Sequence, residues 1–158
     1  MSPSRKRANR AFSLIELIIV VVIIGIIAAI AIPRMSRGAA GAADSSLSGS
    51  LAVMRSGLDI YATEHGGTFP VLATFAGQMT LFTDYNGATN ATKVAPFIYG
   101  PYLRKIPPLA VGTERGSIGI TNIPGTAGAG WVYDDVSGTI VANTTVEADV
   151  SGKLYNTY

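Results

Sequence analysis

A chain of 158 residues is long enough for one domain, or for one domain plus a membrane anchor. It contains no cysteine, which excludes a disulfide scaffold and any cysteine-ligated metal site. The formal charge of +2 hides an asymmetry: Arg5, Lys6, Arg7 and Arg10 crowd the extreme N-terminus, and taking those four from the 12 basic residues leaves 8 against 10 acidic ones, about −2. Nucleic-acid binding driven by net charge thereby loses its main support, and no nucleic-acid partner is expected.

The first predicted element is an apolar helix. Phe12 to Ile32 would span about 31 Å at 1.5 Å per residue, which matches a hydrocarbon core of about 30 Å. From Leu17 to Ile32 every residue is apolar or glycine. The basic flank belongs on the cytoplasmic side, so a single pass places everything after Pro33 across the membrane. A secretory signal peptide is one rival, with Ala29-Ile30-Ala31 as an A-x-A site, but its apolar core would run only about 7–15 residues. A plain signal anchor is the other. Neither gives Glu16 a role.

Glu16 stands at the head of the apolar run. At a helix entrance among lipid headgroups, the helix dipole favours a carboxylate by about 0.3–1 kcal/mol. Deeper in lipid the charge needs a cation or a proton, and the apolar segment carries no cation. The partner must come from another molecule, or from a new N-terminus made by cutting the leader away. A free α-amino group at Phe12 would lie about 6 Å along the axis from Glu16 of its own helix. A neighbouring copy, shifted along the axis, brings its amine to this carboxylate directly. The residues thus describe a self-associating helix whose register is set by an ion pair.

The stretch "RANRA/FSLIELIIVVVIIGIIAAIAIP" resembles the leader and N-terminal helix of type IV pilins and type II secretion pseudopilins. The likeness rests on the short basic leader, the small residue Ala11, "FSLIEL", the unbroken apolar run, Gly25 and Pro33. It implies cleavage between Ala11 and Phe12 by a prepilin peptidase, N-methylation of Phe12, and recruitment and alignment of the subunit by Glu16. Ala11 departs from the glycine usual before the cut. Gly25 and Ala29 form a small-xxx-small face that permits close helix approach. Pro33 lacks an amide donor and disfavours helical geometry at Ile32, so a kink is expected there.

Residues 34–65 continue the helix in amphipathic form. Leu47, Leu51, Met54, Leu58 and Tyr61 recur at spacings of 4, 3, 4 and 3, one helical stripe that should pack on a sheet. Arg55, Asp59 and Glu64 fall away from it. Gly66-Gly67, followed by Pro70, should end the helix. With the membrane half, it would run about 54 residues, near 80 Å if straight. His65, the only histidine, sits at the helix C-terminus, where a capping or solvent role is expected.

Residues 66–158 are rich in Gly, Thr and Asn with short apolar clusters. "FAGQMTLFTDY" reads as a short helix with Phe75, Met79 and Phe82 on one face. "NGATNATKVAPFIYG" reads as loop, and "PYLRKIPPLAVG" as extended and irregular. "SIGI", "GWVYDD" and "GTIVANT" read as strands, the last two joined by a hairpin through Val136-Ser137-Gly138. Trp131 and Tyr133 should cover the long helix. "KLYNTY" forms an edge strand or stays loose. Asn90 and Asn143 begin formal N-x-Thr sequons, a match frequent by chance.

The resemblance extends into this half. "YATEHGGTFP", "GPYLRKIP" and "GWVYDDVSGTIVANT" look like the major, G-type pseudopilins, although Asp-Pro-Trp-Gly is absent after Pro107-Pro108. Many such subunits hold calcium in a C-terminal loop, and the oxygen donors to consider are Asp134, Asp135, Glu147, Asp149 and Ser151. Their alternative is a hairpin turn with solvated carboxylates, and no other cofactor is implied.

The expected fold is α+β: a long N-terminal helix, half membrane-spanning and half amphipathic, packed on a small antiparallel sheet, as in pilins. Its parts are a cleaved basic leader (1–11), a transmembrane and assembly helix (12–33), an amphipathic continuation (34–65), and a periplasmic α+β part with a C-terminal β-hairpin (66–158). The expected function is that of a structural subunit of a type II secretion pseudopilus in the inner membrane, polymerising into a periplasmic filament that drives export. The alternative is a type IV pilin for adhesion, motility or DNA uptake. Implied partners are further copies in a helical filament, minor pseudopilins, the inner-membrane assembly platform, a prepilin peptidase and the membrane. An enzyme is not expected: there is no G-x-S-x-G, no histidine pair and no P-loop, and Asp134-Asp135 on a strand would face opposite ways.

Overall fold

The structure, a computed structural model, describes residues 12–158, with backbone alone at positions 33, 34, 36 and 37. It divides into two units between Gly38 and Ala39.

The first unit is the apolar part of helix α1 (Leu14–Glu64). Ser13 opens it, its carbonyl accepting the amides of Glu16 and Leu17 at 3.1 and 3.2 Å. Leu14–Ile32 is long and apolar enough to cross a membrane, and none of it is buried within the protein. Its many Ile and Val are mediocre helix formers in water. In lipid the constraint changes, because a spanning segment must satisfy its backbone hydrogen bonds internally. The helical assignment continues through Pro33, which removes one donor without ending the helix.

In the second unit the predicted stripe is the core face of α1. Leu47, Leu51, Met54, Leu58 and Tyr61 are each at most 2 % exposed. Gly57 lies on that face, where an added Cβ would come 3.0 Å from Met79 Cε and 3.3 Å from Leu103 Cδ2, so its lack of a side chain admits both neighbours. The helix ends as its glycines require. Gly66 takes a left-handed φ of 67°, and the Gly67 amide reaches back to the Ala62 carbonyl at 2.7 Å, the six-to-one bond of a Schellman motif.

A single 3-10 turn (Leu72–Thr74) leads into α2 (Phe75–Thr80), which buries Phe75 and Met79 as expected. Phe82 does not join them. Leu81 closes the last turn through Gly77 and then turns extended (ψ 176°), so Phe82 begins strand β1 (Phe82–Thr83). The stretch read as loop contributes β2 (Thr89–Asn90), antiparallel to β1. The Pro-rich segment that follows is irregular, as expected, and anchors itself by Leu103, Ile106, Leu109 and Val111, all buried.

Strands β3 (Gly119–Thr121), β4 (Ala129–Asp134) and β5 (Thr139–Ala142) form the main sheet in that order. β4 and β5 make the predicted hairpin, its turn closed by Gly138 N–H on the Asp134 carbonyl at 2.9 Å. Trp131 and Tyr133 face inward into the same buried cluster as the α1 stripe. Each spends its polar atom on a carbonyl: Trp131 Nε1 on Pro107 and Tyr133 Oη on Pro70, both at 2.9 Å.

The sheet is mixed, not purely antiparallel: β3 runs parallel to β4, with a bulge between Gly119 and Ile120. Parallel neighbours ordinarily need a crossover of about a dozen residues or more. Here only 122–128 intervene, and Asn143 makes the short link possible. Its Oδ1 accepts the Gly125 amide at 2.7 Å, and its Nδ2 donates to the carbonyls of Thr126 and Ala129, both at 2.8 Å. Glycine at 130 completes the fit, since a Cβ there would lie 2.2 Å from the Ser117 carbonyl oxygen.

The C-terminal stretch is neither an edge strand nor loose. Ala148 and Leu154 make one bridge, and Tyr155–Thr157 forms a 3-10 turn. Tyr155 packs into the core, with its hydroxyl on Asp44 at 2.8 Å. Arg55 points away from the apolar stripe, yet its guanidinium binds the main-chain oxygens of Ile140 and Tyr158 at 3.1 and 2.6 Å.

Candidate functional site

Three groups of residues bear on function. The first is the start of α1. Phe12 is 77 % exposed, and Glu16 is an exposed acid in the first helical turn, where the dipole favours it. Leu14, Leu17, Ile18, Val21 and Val22 line a shallow, wholly apolar groove on the same segment. A Cβ built at Gly25 would meet nothing within 4 Å, so the small face of Gly25 and Ala29 is open. Chemically this is a surface for lipid or for another apolar helix, with a single carboxylate at its entrance. Ala11 and the leader residues 1–11 lie outside the described residues.

The second group is the acidic C-terminal set, and the structure turns each carboxylate toward protein donors, some of its own loop and some of distant segments. Asp134 accepts the Val136 amide at 3.0 Å and the Ser137 hydroxyl at 2.6 Å, which hold its carboxyl below the ordinary range, the serine most strongly. Asp135 takes the Leu72 amide at 3.3 Å. Asp149 accepts the amides of Ser151 and Lys153, the Ser151 hydroxyl and the Tyr158 hydroxyl. The two hydroxyls, Ser151 first, depress its pKa strongly. Glu147 is a double clamp: Oε1 accepts the Thr113 hydroxyl at 2.7 Å and its amide at 3.1 Å, while Oε2 accepts the amides of Thr145 and Val146.

Calcium needs six to eight oxygen ligands at one point. Among the described residues no three acidic, histidine or cysteine side chains converge. Most of the candidate carboxylate oxygens are engaged by N–H and O–H donors and do not converge, so this arrangement does not fit the ion. What it does is tie loops together.

This has a consequence for pH. The Thr113 hydroxyl and then the backbone amides lower the Glu147 pKa from 4.5 to about 2. A carboxyl depressed on folding contributes stability above its unfolded value and loses it as pH falls through the folded one. Stability of the second unit should therefore decline between about pH 4.5 and 2, and Glu147→Gln should flatten that decline. Denaturant unfolding at a series of pH values checks both, and an unchanged slope in the variant would remove Glu147 from the account.

The third group was missed by sequence reasoning. His65 does cap, with Nδ1 2.9 Å from the Tyr61 carbonyl, but it has no solvent role: it is 3 % exposed. Its Nε2 lies 3.0 Å from the Asp84 carbonyl and 3.2 Å from the Thr83 hydroxyl. Its ring stacks on Tyr61 at 3.8 Å with an interplanar angle of 3°. Close by, the Tyr102 hydroxyl donates to Glu64 at 2.7 Å. The signal was the i, i+4 spacing of Tyr61 and His65, which sets two rings on one helix face. The cluster joins the end of α1 to β1.

Residues 6–32 match the family model of the prokaryotic N-terminal methylation motif. No curated protein and no solved structure matches the chain. The chain thus carries a prepilin-type N-terminal motif on an apolar helix that fits a membrane anchor, followed by an α+β unit. This is consistent with a type IV pilin-like protein or pseudopilin, a class that is generally structural and processed by a prepilin peptidase.

Proposed function

We propose that this protein is a structural subunit of a type II secretion pseudopilus, not an enzyme. In this reading a prepilin peptidase removes residues 1–11 and methylates Phe12. Residues 12–33 hold the subunit in the inner membrane, 34–65 carry the helix onward, and 66–158 lie in the periplasm. Copies then enter a helical filament with minor pseudopilins and the assembly platform. Glu16 meets the new amine of a neighbouring Phe12, the face of Gly25 and Ala29 packs between helices, and Pro33 lets the helix bend. The observation that carries the reading is the methylation-motif match lying across the apolar helix.

The absence of cysteine favours a pseudopilin over an adhesive pilin with a C-terminal disulfide. Intact mass of the membrane form, expressed with a prepilin peptidase, tests the core of the proposal. Residues 12–158 plus one methyl is the expected species. An uncut chain, or one starting at Ile32, would return the protein to an ordinary anchor or secreted domain. A long surface fibre formed without overexpression would favour the pilin.

A further inference from the structure

The two N-x-Thr sequons meet opposite fates in the fold. Asn143 is 3 % exposed, and its amide is spent on three hydrogen bonds that hold the β3–β4 connection. An enzyme could reach it only by opening the sheet. Asn90 is half-buried, ends the two-residue strand β2 and is followed by six exposed residues, 91–96. Its Oδ1 accepts the Thr92 amide at 2.8 Å. That bond commits the carbonyl oxygen, draws Thr92, the third residue of the sequon, toward the acceptor amide, and places both on one tight turn. Among the described residues Nδ2 of Asn90 has no protein partner comparable to those of Asn143.

We propose that Asn90 is an acceptor for an N-linked glycan. The donor class is a lipid-pyrophosphate-linked oligosaccharide. The Asn90 Nδ2 attacks C1 of the reducing-end sugar, and a C–N bond forms as the C1–O bond to pyrophosphate breaks. The lipid pyrophosphate leaves with the electron pair and one amide proton is released, so nothing is oxidised or reduced. A glycan there would blunt the open edge of β2 and cover the exposed side chains of Val94 and Ile98, protecting the edge from unwanted pairing. Access to the donor in cells rests on the placement of residues 66–158 outside the cytoplasm proposed above.

The test uses the full chain in detergent, a purified oligosaccharyltransferase of N-x-Ser/Thr specificity and its lipid-linked donor, read by glycopeptide mass spectrometry. One glycan at Asn90, none at Asn143, and none in Asn90→Gln or Thr92→Ala is the expected result. The denatured chain serves as the control for enzyme activity and should accept at both positions. A folded chain that stays bare at Asn90 while the denatured chain accepts there overturns the proposal, as does modification of Asn143 in the folded chain. The same chain is then expressed in cells that glycosylate on the outer side of the membrane. Modification in detergent but not in such cells overturns the placement of the globular unit and leaves the acceptor site standing.

Discussion

Glu16→Ala should leave the subunit in the membrane, still cut before Phe12 and methylated, yet unable to assemble. The expectation follows from charge in a low-dielectric interface. In the filament proposed above, the carboxylate at the head of one apolar helix would face the amine of its neighbour. Deleting one member of a buried pair leaves the other uncompensated, at a cost of about 3–5 kcal/mol. At about 1.4 kcal/mol per tenfold, that is more than a hundredfold in each subunit contact, enough to stop a polymer. The apolar surface for insertion is untouched, because Leu14–Ile32 supplies it. Membrane fractionation and intact mass would show the variant inserted and mature, while electron microscopy of sheared filaments would show none. Glu16→Gln, of the same size without the charge, should behave alike. Filaments at normal yield from either variant would dismiss the ion pair and leave Glu16 as a headgroup-level acid favoured by the helix dipole.

Leu51→Ala should destabilise the second unit by about 2–5 kcal/mol. Leu51 is 1 % exposed in the middle of the α1 stripe and shares its cluster with Trp131, Tyr133 and Ile140. Alanine is the better helix former, so the loss would come wholly from packing and the cavity left behind. Trp131, the single tryptophan and fully buried, reports the transition through its emission in a denaturant titration of the full chain in detergent. Val53→Ala is the control: it lies two residues away on the outer face, 58 % exposed, and should stay within about 0.5 kcal/mol of the parent. Equal effects from the two would mean that the stripe is not the core face.

Much of this architecture was legible before any coordinates. A 4-3-4-3 apolar repeat has only one way to be buried on a helix, so the stripe from Leu47 to Tyr61 was readable, as was its stop at Gly66-Gly67. Alternation around Trp131 and Tyr133, broken by Ser137-Gly138, marked the hairpin in the same local way. Phe82 was misassigned because its helical spacing from Phe75 and Met79 competes with strand pairing to Asn90, a contact eight residues along the chain. His65 was expected to cap or to meet solvent from its place at a helix end; it caps, and the approach of Asp84, Thr83 and the surrounding tyrosine rings buries it.

The candidate site divides in the same way. The motif across residues 6–32, with Ala11, Phe12, Glu16 and the apolar run, is a linear signal that needs no partner from elsewhere in the chain, so sequence alone determined the N-terminal motif and the membrane-competent helix. The acidic C-terminal residues could be read as ion ligands or as turn formers. The decision rested on where Thr113, Tyr158 and the local amides come to lie. Tertiary structure likewise decided the parallel pairing of β3, the docking of Tyr155 on Asp44, and the burial of Asn143 while Asn90 stays half-buried beside the exposed Ala91 and Thr92. The reason is physical: periodicity, caps and apolar runs act between residues a few positions apart, whereas donors and acceptors brought together by folding can be dozens of residues distant, and no local pattern records which of them will meet.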